Sequence, residues 1–380
     1  MNSLKTTLFF GLLLTIFSCK TADGIATRTE RPKNVILLIS DGTGLSQISS
    51  AFYFQDKTSN YTRFENIGLI NTSSSQEDIT DSAAGATAFA SGIKTYNGAI
   101  GLSDDYKDAK TIVEIASENN VKTGLIATSS LTHATPASFF AHVKNRGMEN
   151  EIAAYLPKSG VDFFAGGGLR FFSGRNDNLD LIAALRAEKF TIDTTSLENY
   201  NSLKNGDKLG FILADNAMPK MQEGRGNFLA KAIEAGTDFL SKNGSTFFMM
   251  AEGSQIDWGG HNNDAPYLIA ELIDFDEAIG KALDFAEKDG NTLVIVTSDH
   301  ETGGFTLAAK KNKRDDGSEY SDYREIGPTF STGGHSATLI PVFAFGPGSE
   351  NFKGIYQNNE IFDKILNLTN WKLNKNKKDN

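Results

Sequence analysis

The chain has 380 residues, of which 39% are hydrophobic and 22% charged, proportions that are ordinary for a globular protein. The formal net charge is −10 and no basic stripe is visible, so we expect no nucleic-acid-binding surface. The single cysteine excludes an internal disulfide. With 36 glycines and 8 prolines, the composition favours many strand-to-helix turns over a proline-rich linker protein.

Residues 1–19 have the pattern of an export signal. Lys5 provides positive charge, and residues 8–17 form an apolar stretch that is too short to span a bilayer. Residues 16–19 resemble a bacterial lipobox, whose cysteine is lipidated after cleavage; the alternative is an ordinary signal peptide with a chance cysteine. We predict an exported bacterial protein, periplasmic or anchored to a membrane through acyl chains on Cys19, with a polar tether at residues 20–33.

Strand and helix signals alternate over residues 34–372, the predicted domain, and a polar tail follows at 373–380. Strands are predicted at the short apolar runs 35–39, 123–127, 211–214, 247–251, 292–297 and 342–345. Helices are predicted between them, including 111–119, 178–188, 227–241 and 265–287. Residues 309–332 are polar and are predicted to form a surface excursion. Consecutive apolar positions in the strands favour a three-layer α/β/α sandwich with a central, largely parallel sheet.

Three of the predicted strands run into an acidic residue. Asp41 follows the first, Glu252 the fourth, and Asp299 the fifth, where His300 comes next. Open α/β sheets bind ligands beyond the carboxyl ends of their strands, so these acids are expected to converge on one crevice. Close carboxylates repel one another unless a cation lies among them, and the pattern therefore predicts a metal site.

The chain contains five histidines, which are His133, His142, His261, His300 and His335. Asp257 and His261 are four residues apart, but Gly259 and Gly260 between them favour a loop over a helix. Oxygen and nitrogen ligands without thiolate suit catalytic zinc that keeps an open coordination position.

Ser82 opens an alanine-rich run that is predicted to be helical and to end at Ser91 and Gly92. A serine at this position is commonly only a helix cap. The same position also directs backbone N–H groups at an incoming anion. Because no histidine lies near Ser82 in the sequence, direct coordination to a metal ion is the alternative route to an activated hydroxyl.

These features resemble the alkaline phosphatase family in seven segments that follow the family's order. The matching segments are 41–42, 80–88 continuing through 94–98, 134–137, 142–146, 252–261, 297–300 and 333–335. The resemblance implies an alkaline phosphatase that hydrolyses small phosphate monoesters through a covalent phosphoserine on Ser82. It also suggests a homodimer.

The resemblance further implies two zinc ions and one magnesium ion as cofactors. The implied ligands of the first zinc are Asp257, His261 and His335. Those of the second are Asp41, Ser82, Asp299 and His300. Those of the magnesium ion are Asp41, Thr135 and Glu252. Arg146 would hold two phosphoryl oxygens, since its planar fork matches them as lysine cannot.

Two positions depart from some relatives. His133 stands where certain bacterial members have aspartate, and we expect it to contact the magnesium ion through water. Trp258 stands where they have lysine; it either packs as a wall of the site or contacts substrate through its indole N–H. His142 has no ligand partner in the pattern and is expected to be structural.

Two alternative functions remain open, one for an enzyme of the same superfamily and one for a binding protein. A phosphodiesterase, sulfatase or phosphomutase could use a similar scaffold, although Ser82 lacks the sulfatase context and Arg146 favours a dianionic monoester. A lipoprotein that binds phosphate without turnover is the alternative from another class.

Overall fold

The computed structural model describes residues 31–373 of the chain. The predicted export signal, Cys19, most of the tether and nearly all of the tail lie outside this range. No helix within it combines the length and the apolarity that crossing a membrane requires.

The strands between residues 31 and 373 are numbered here along the chain. They are β1 Asn34–Ser40, β2 Asn66–Asn71, β3 Lys122–Ser130, β4 Phe163–Gly167, β5 Phe190–Asp193, β6 Lys208–Ile212, β7 Phe247–Gly253, β8 Thr292–Thr297, β9 Glu301–Thr302, β10 Thr306–Lys313, β11 Glu319–Thr329, β12 His335–Ser336, β13 Ile340–Phe345 and β14 Gly354–Gln357. The six predicted strands are confirmed as β1, β3, β6, β7, β8 and β13, with shifted ends.

The α-helices of the same range are numbered in the same way. They are α1 Leu45–Tyr53, α2 Ser82–Ser91, α3 Ile112–Glu118, α4 Ala134–Ala137, α5 Glu149–Tyr155, α6 Leu181–Ala187, α7 Tyr200–Leu203, α8 Phe228–Leu240, α9 Gln255–His261, α10 Ala265–Asp289 and α11 Glu360–Thr369. The four predicted helices are confirmed as α3, α6, α8 and α10.

Ten strands form one sheet in the order β14-β2-β13-β8-β1-β7-β3-β4-β6-β5. β13 runs antiparallel to its neighbours β2 and β8, whereas the other adjacent pairs are parallel. The prediction of a largely parallel sheet is therefore confirmed. The reversal of β13 leaves no mark on its sequence, because a short buried strand is apolar in either direction.

Both faces of the sheet are covered. Along β1, Val35 and Leu37 point into one buried apolar cluster, and Ile36 and Leu38 point into the other. The first cluster is completed by α2, α3, α5, α6 and α11, and the second by α1, α8, α9 and α10. Burying one such side chain stabilises the fold by about 1.5–3 kcal/mol. The three-layer α/β/α prediction is confirmed.

The polar segment 309–332 is more regular than predicted. It consists mostly of the antiparallel hairpin of β10 and β11, which is separate from the central sheet. Many of its side chains are exposed, including Tyr323 at 89%. The excursion lies at the surface, as expected, but it is stabilised by its own hydrogen-bond ladder.

The predicted loop between Asp257 and His261 is wrong, because these residues lie on helix α9. A Cβ on Gly259 would lie 2.7 Å from the backbone N and Cα of Leu268 in α10, and one on Gly260 would lie 2.9 Å from the carbonyl oxygen of Thr302. The two glycines therefore allow close packing of α9 on its neighbours. That packing outweighs a helix cost of about 1 kcal/mol for each glycine.

Candidate active site

The acidic residues converge because their strands are neighbours in the sheet. Ile39 near the end of β1 pairs with Glu252 on β7 and with Thr297 at the end of β8. Asp41 and Asp299 each follow two residues further along their own strands. All three carboxyl groups thus reach one edge of the sheet, as predicted for the carboxyl ends of parallel strands.

Gly42 lets the turn after β1 approach helix α9. Its φ angle is +71°, in the left-handed region that favours glycine. A Cβ at this position would lie 2.7 Å from the Cα of Asp257. A larger residue would push Asp41 and Asp257 apart.

The first cluster consists of Asp257, His261 and His335, and each offers one ligand atom within 4.8 Å of the others. Asp257 Oδ1 lies 3.4 Å from His261 Nε2 and 3.7 Å from His335 Nε2. The Nδ1 atoms of the two rings contact the carbonyl oxygens of Gly333 and Thr80 at 2.8 Å. These contacts leave both Nε2 atoms facing the carboxylate, so the three residues can hold one cation.

The second cluster consists of Asp41, Asp299 and His300, which are fully buried. His300 Nε2 lies 3.3 Å from Asp299 Oδ2 and 3.5 Å from Asp41 Oδ1. The Oγ atom of Ser82 lies 3.2 Å from the same nitrogen. The serine that the sequence singled out therefore borders this cluster.

The third cluster consists of Asp41, His133 and Glu252, again with ligand atoms within 4.8 Å of one another. Ser129 and Ser254 both donate hydrogen bonds to Glu252 Oε2, which leaves Oε1 for another partner. Asp41 belongs to the second and third clusters and can bridge two ions. His133 lies near enough to take part directly, whereas we expected contact through water.

Several buried polar atoms of these clusters have no hydrogen-bond partner within residues 31–373. They are Asp41 Oδ1 and Oδ2, His133 Nδ1, Thr135 Oγ1, Glu252 Oε1 and Asp299 Oδ2. An unpaired buried polar atom costs about 1–3 kcal/mol. The atoms converge on two of the three clusters, and cations there would satisfy them. The donor set of carboxylates, imidazoles and a hydroxyl fits divalent ions.

The electrostatics of the clusters agree with this assignment. Burial raises the pKa of Asp41 well above its ordinary value, and the charge of Asp299 adds to the effect. Burial likewise raises the pKa of Asp299. It also raises the pKa of Glu252, to about 7. Burial lowers the pKa of His133 and His300 to about 3, so both imidazoles are neutral and retain a lone pair. A cation would relieve the repulsion among the carboxylates.

Asp81, and not Ser82, caps helix α2. The Asp81 carboxylate accepts a hydrogen bond from the backbone N–H of Ala84 at 3.0 Å. Ser82 is the first helical residue, and its hydroxyl faces His300. The interpretation of Ser82 as a simple cap is therefore wrong. Its hydroxyl stands where the helix N-terminus favours an anion.

Arg146 is held by the same aspartate. Its Nη1 donates to Asp81 Oδ2 at 3.0 Å, and its backbone N–H donates to the carbonyl of Gly98 at 2.8 Å. Burial opposes the charge of the guanidinium, but the carboxylates of Asp81, Asp41 and Asp257 together outweigh it and raise the pKa of Arg146. Asp81 thus positions the helix that begins with Ser82 and also the guanidinium of Arg146. These two groups could bind a phosphoryl group between them.

Trp258 and His142 lie in different surroundings. Trp258 is on α9, where its ring meets that of His133 edge to face with centroids 5.8 Å apart. His142 lies outside the three clusters, with Nδ1 2.7 Å from the carbonyl oxygen of Gly101 and Nε2 3.4 Å from Glu114. These contacts agree with the structural role expected of His142.

Sequence reasoning missed several residues that contact the candidate ligands. Thr302 contacts both Asp257 and His300, while Ser129 and Ser254 contact Glu252. Thr302 follows closely after Asp299, and Ser254 closely after Glu252, so proximity in sequence was the available signal. Ser129 has no such signal, because it comes from the end of β3.

A largely parallel sheet that gathers three potential cation clusters around a helix-terminal serine and an arginine defines a metal-dependent hydrolase of phosphoryl esters. A sequence model of the alkaline phosphatase family matches residues 32–316. The chain belongs to the alkaline phosphatase family, and it is a phosphoric monoester hydrolase.

Similar proteins agree with the family model. Alkaline phosphatase 3 of Bacillus subtilis (strain 168) is 34% identical, and the match covers 91% of each chain. The alkaline phosphatase of Escherichia coli (strain K12) is 30% identical over 87% of this chain and 84% of its own. Both relatives are thus matched over most of their length.

Among solved structures, the alkaline phosphatase of the Antarctic bacterium TAB5 has a TM-score of 0.89 at 67% identity, covering 91% of this chain and all of that one. A mutant of that enzyme, in which a histidine is replaced by aspartate, carries Mg in the site called M3. The Thermus thermophilus enzyme has a TM-score of 0.82 at 23% identity, over 90% of this chain and 92% of its own, which supports the fold alone.

Proposed function

We propose that Ser82 is the nucleophile of the phosphatase and forms a phosphoserine during turnover. The main support for this role is the position of the hydroxyl beside the second cluster. Ser82 Oγ lies 3.2 Å from His300 Nε2. A serine hydroxyl needs help to lose its proton near neutral pH. The clusters offer that help through the cations they would bind.

Two zinc ions and one magnesium ion complete this proposal. The first and second clusters would hold zinc, because imidazole nitrogens predominate in one and one nitrogen joins two carboxylates in the other. The third cluster, with Thr135, would hold magnesium, the ion seen in the TAB5 mutant. When bound, such ions lower the pKa of coordinated hydroxyls and offset the charge of a phosphoryl group.

In the third cluster we propose a direct role for His133. Its Nδ1 has no hydrogen-bond partner among residues 31–373 and is buried close to the carboxylates of Asp41 and Glu252. A nitrogen ligand is less suited to magnesium than an oxygen, so His133 should weaken magnesium binding relative to aspartate.

The reaction would proceed in two displacements. The Ser82 hydroxyl gives up its proton as its oxygen attacks phosphorus, and the bond from phosphorus to the alcohol oxygen breaks. The alcohol oxygen takes up a proton, and the phosphoryl group is left bonded to Ser82. Water then gives up a proton and attacks the same phosphorus, and the bond to Ser82 breaks. Inorganic phosphate is released, and the oxygen of Ser82 takes up a proton to restore the hydroxyl. Arg146 would hold two nonbridging oxygens in both steps, since its fork is bidentate and Asp81 orients it.

The test is to trap the intermediate. Labelled substrate is mixed with enzyme, the reaction is quenched in acid, and the labelled residue is identified by mass spectrometry. We expect phosphate on Ser82, and Ser82→Ala should lose both the label and several orders of magnitude in kcat, with metal content retained. Ser91→Ala, at the other end of α2, is the matched control and should keep normal turnover.

The same preparation distinguishes related activities. Rates on nitrophenyl phosphate and on its methyl diester are compared, and we expect a strong preference for the monoester because Arg146 suits a dianion. Preference for the diester would replace the proposal by a phosphodiesterase. A phosphate-binding lipoprotein would never acquire the label.

Export, lipid attachment at Cys19 and dimer formation complete the proposal. Support for export and lipidation comes from the sequence pattern of residues 1–19 alone. Incorporation of labelled palmitate into wild-type protein but not Cys19→Ser would test lipidation, and sedimentation of the purified domain would test the dimer. The domain bounds of 34 and 372 can be tested by limited proteolysis.

A further inference from the structure

We propose that Thr302 is a positioning residue that joins the first and second clusters and sets the tautomer of His300. This inference deepens the proposed cation-dependent function and rests on it. Thr302 Oγ1 lies 2.5 Å from Asp257 Oδ1 in the first cluster and 3.2 Å from His300 Nδ1 in the second. Thr302 is fully buried.

The direction of these hydrogen bonds follows from the atoms available. A threonine hydroxyl has one hydrogen, and the Asp257 carboxylate can only accept it. The hydroxyl oxygen must then accept from His300, so the hydrogen of the neutral imidazole lies on Nδ1. This relay leaves the lone pair of His300 on Nε2.

That lone pair points at the candidate cation position. His300 Nε2 lies 3.2 Å from Ser82 Oγ, 3.3 Å from Asp299 Oδ2 and 3.5 Å from Asp41 Oδ1. Without the relay, the hydrogen could occupy Nε2, and the imidazole would have to change tautomer before binding an ion. A hydrogen bond to the remote nitrogen is the usual way to orient a histidine ligand.

Three ligand-bearing segments hold Thr302 in place. Its backbone N–H donates to the carbonyl of Gly42 at 3.0 Å, next to Asp41. Strands β9 and β12 are antiparallel, and Thr302 on β9 pairs with His335 on β12. A Cβ on Gly260 of α9 would lie 2.9 Å from the carbonyl oxygen of Thr302. Thr302 therefore contacts the segments that carry Asp41, His335 and Asp257.

The experiment compares Thr302→Val, which keeps the shape but removes the hydroxyl, with Thr302→Ser, which keeps the hydroxyl. Zinc affinity of the full chain is measured by competition with a chelator. We expect Thr302→Val to weaken zinc binding about 10- to 100-fold, as loss of an orienting partner typically does, and Thr302→Ser to restore most of it.

A second readout reports on His300 itself. In the zinc-loaded full chain with ¹⁵N-labelled histidine, the Nδ1 proton of His300 should be protected from exchange in wild type and in Thr302→Ser. In Thr302→Val it should exchange roughly tenfold faster or more, because its acceptor is gone. Thr237→Val is the matched control and should change neither measurement. Thr237 is a buried threonine on α8 whose hydroxyl donates to the helix carbonyls of Ile233 and Glu234.

Circular dichroism and thermal unfolding show whether each variant is folded. A folded Thr302→Val protein with zinc affinity within about twofold of wild type, a small change beside the usual effect of such a partner, would overturn the proposal. Failure of Thr302→Ser to restore affinity would overturn it as well. Neither measurement uses phosphatase turnover, so a negative result on phosphoserine trapping would leave these outcomes readable.

Discussion

The imidazole rings of His300 and His335 stack face to face, with centroids 3.5 Å apart and planes at 17°. His335 belongs to the first cluster and His300 to the second. The stack therefore makes the two candidate cation positions neighbours. Two ions about 3.5–4 Å apart can serve the attacking and the leaving oxygen of one in-line displacement.

The first prediction concerns His335. His335→Asn should remove one ion per chain from the first cluster and leave the second cluster loaded, because His300 keeps its own partners. Turnover should fall by about 100-fold or more, the range for losing one preorganised electrostatic group. Metal analysis alongside kcat tests this, with His142→Asn as the control that keeps full metal content. If His335→Asn bound as many metal ions per chain as wild type, the assignment of the first cluster as a cation site would be wrong.

The second prediction concerns Arg146. Arg146→Lys keeps the positive charge but loses the planar fork, and lysine cannot pair with Asp81 and two phosphoryl oxygens at once. We expect kcat/KM for a monoester to fall about 10- to 100-fold, equivalent to one charge-assisted hydrogen bond, with metal content unchanged. Arg324→Lys, at an exposed arginine that pairs with the buried Asp322 outside the three clusters, should have no effect. Equal kinetics in the two variants would contradict the role of Arg146.

The third prediction concerns Trp258, whose role as wall or substrate contact stays open. Its indole N–H cannot supply the charge that lysine brings to phosphate, so Trp258→Lys should lower the inhibition constant of inorganic phosphate. Trp258→Phe keeps the aromatic packing against His133 but removes the N–H. An unchanged inhibition constant in Trp258→Phe would indicate packing, whereas a rise would indicate a hydrogen bond. A higher constant in Trp258→Lys would refute the prediction.

The fourth prediction is a pH dependence of stability at His142. Burial lowers the pKa of His142. Hydrogen bonding to Glu114 and to the Gly101 carbonyl, together with the charges of Glu114 and Asp108, outweighs this effect, and the net direction of the pKa is upward. A raised histidine pKa stabilises the folded state fully below the unfolded value of about 6.5, and this contribution is lost as pH rises through the folded-state pKa.

Urea unfolding of wild type and His142→Asn at pH 6 and pH 8.5 measures this contribution. We expect the difference in unfolding free energy to shrink by about 1 kcal/mol at the higher pH, the net contribution of one typical hydrogen bond. Effects of pH on the cation clusters cancel in the difference, because both proteins share them. A difference that grows with pH would show that the sign is wrong.

Most of the candidate site residues could be predicted from local sequence patterns. Asp41, Glu252 and Asp299 could be identified because each follows or ends a short apolar run, and strand ends in a parallel sheet meet at one edge. Ser82 could be identified because it opens an alanine-rich helix. These signals lie within a few residues, where propensity and patterning act.

Long-range packing decided what those signals could not. The local sequence around Gly259 and Gly260 predicts a loop, yet both residues lie on α9. They are glycines because Leu268 and Thr302 approach too closely for any side chain, and this contact is made only in the folded chain. The direction of β13 depends on its partners β2 and β8, since its own apolar residues would suit either direction.

By itself, the sequence determined the α/β layers, the order of the acidic and histidine-bearing segments, and hence the resemblance to a phosphatase. Only the tertiary structure decided that His300 stacks on His335, that His133 faces Asp41 and Glu252, and that Thr302 links two clusters. The physical reason is distance along the chain: hydrogen bonds and ring contacts between remote segments depend on how β1, β7, β8 and α9 pack, and no local pattern of residues records that packing.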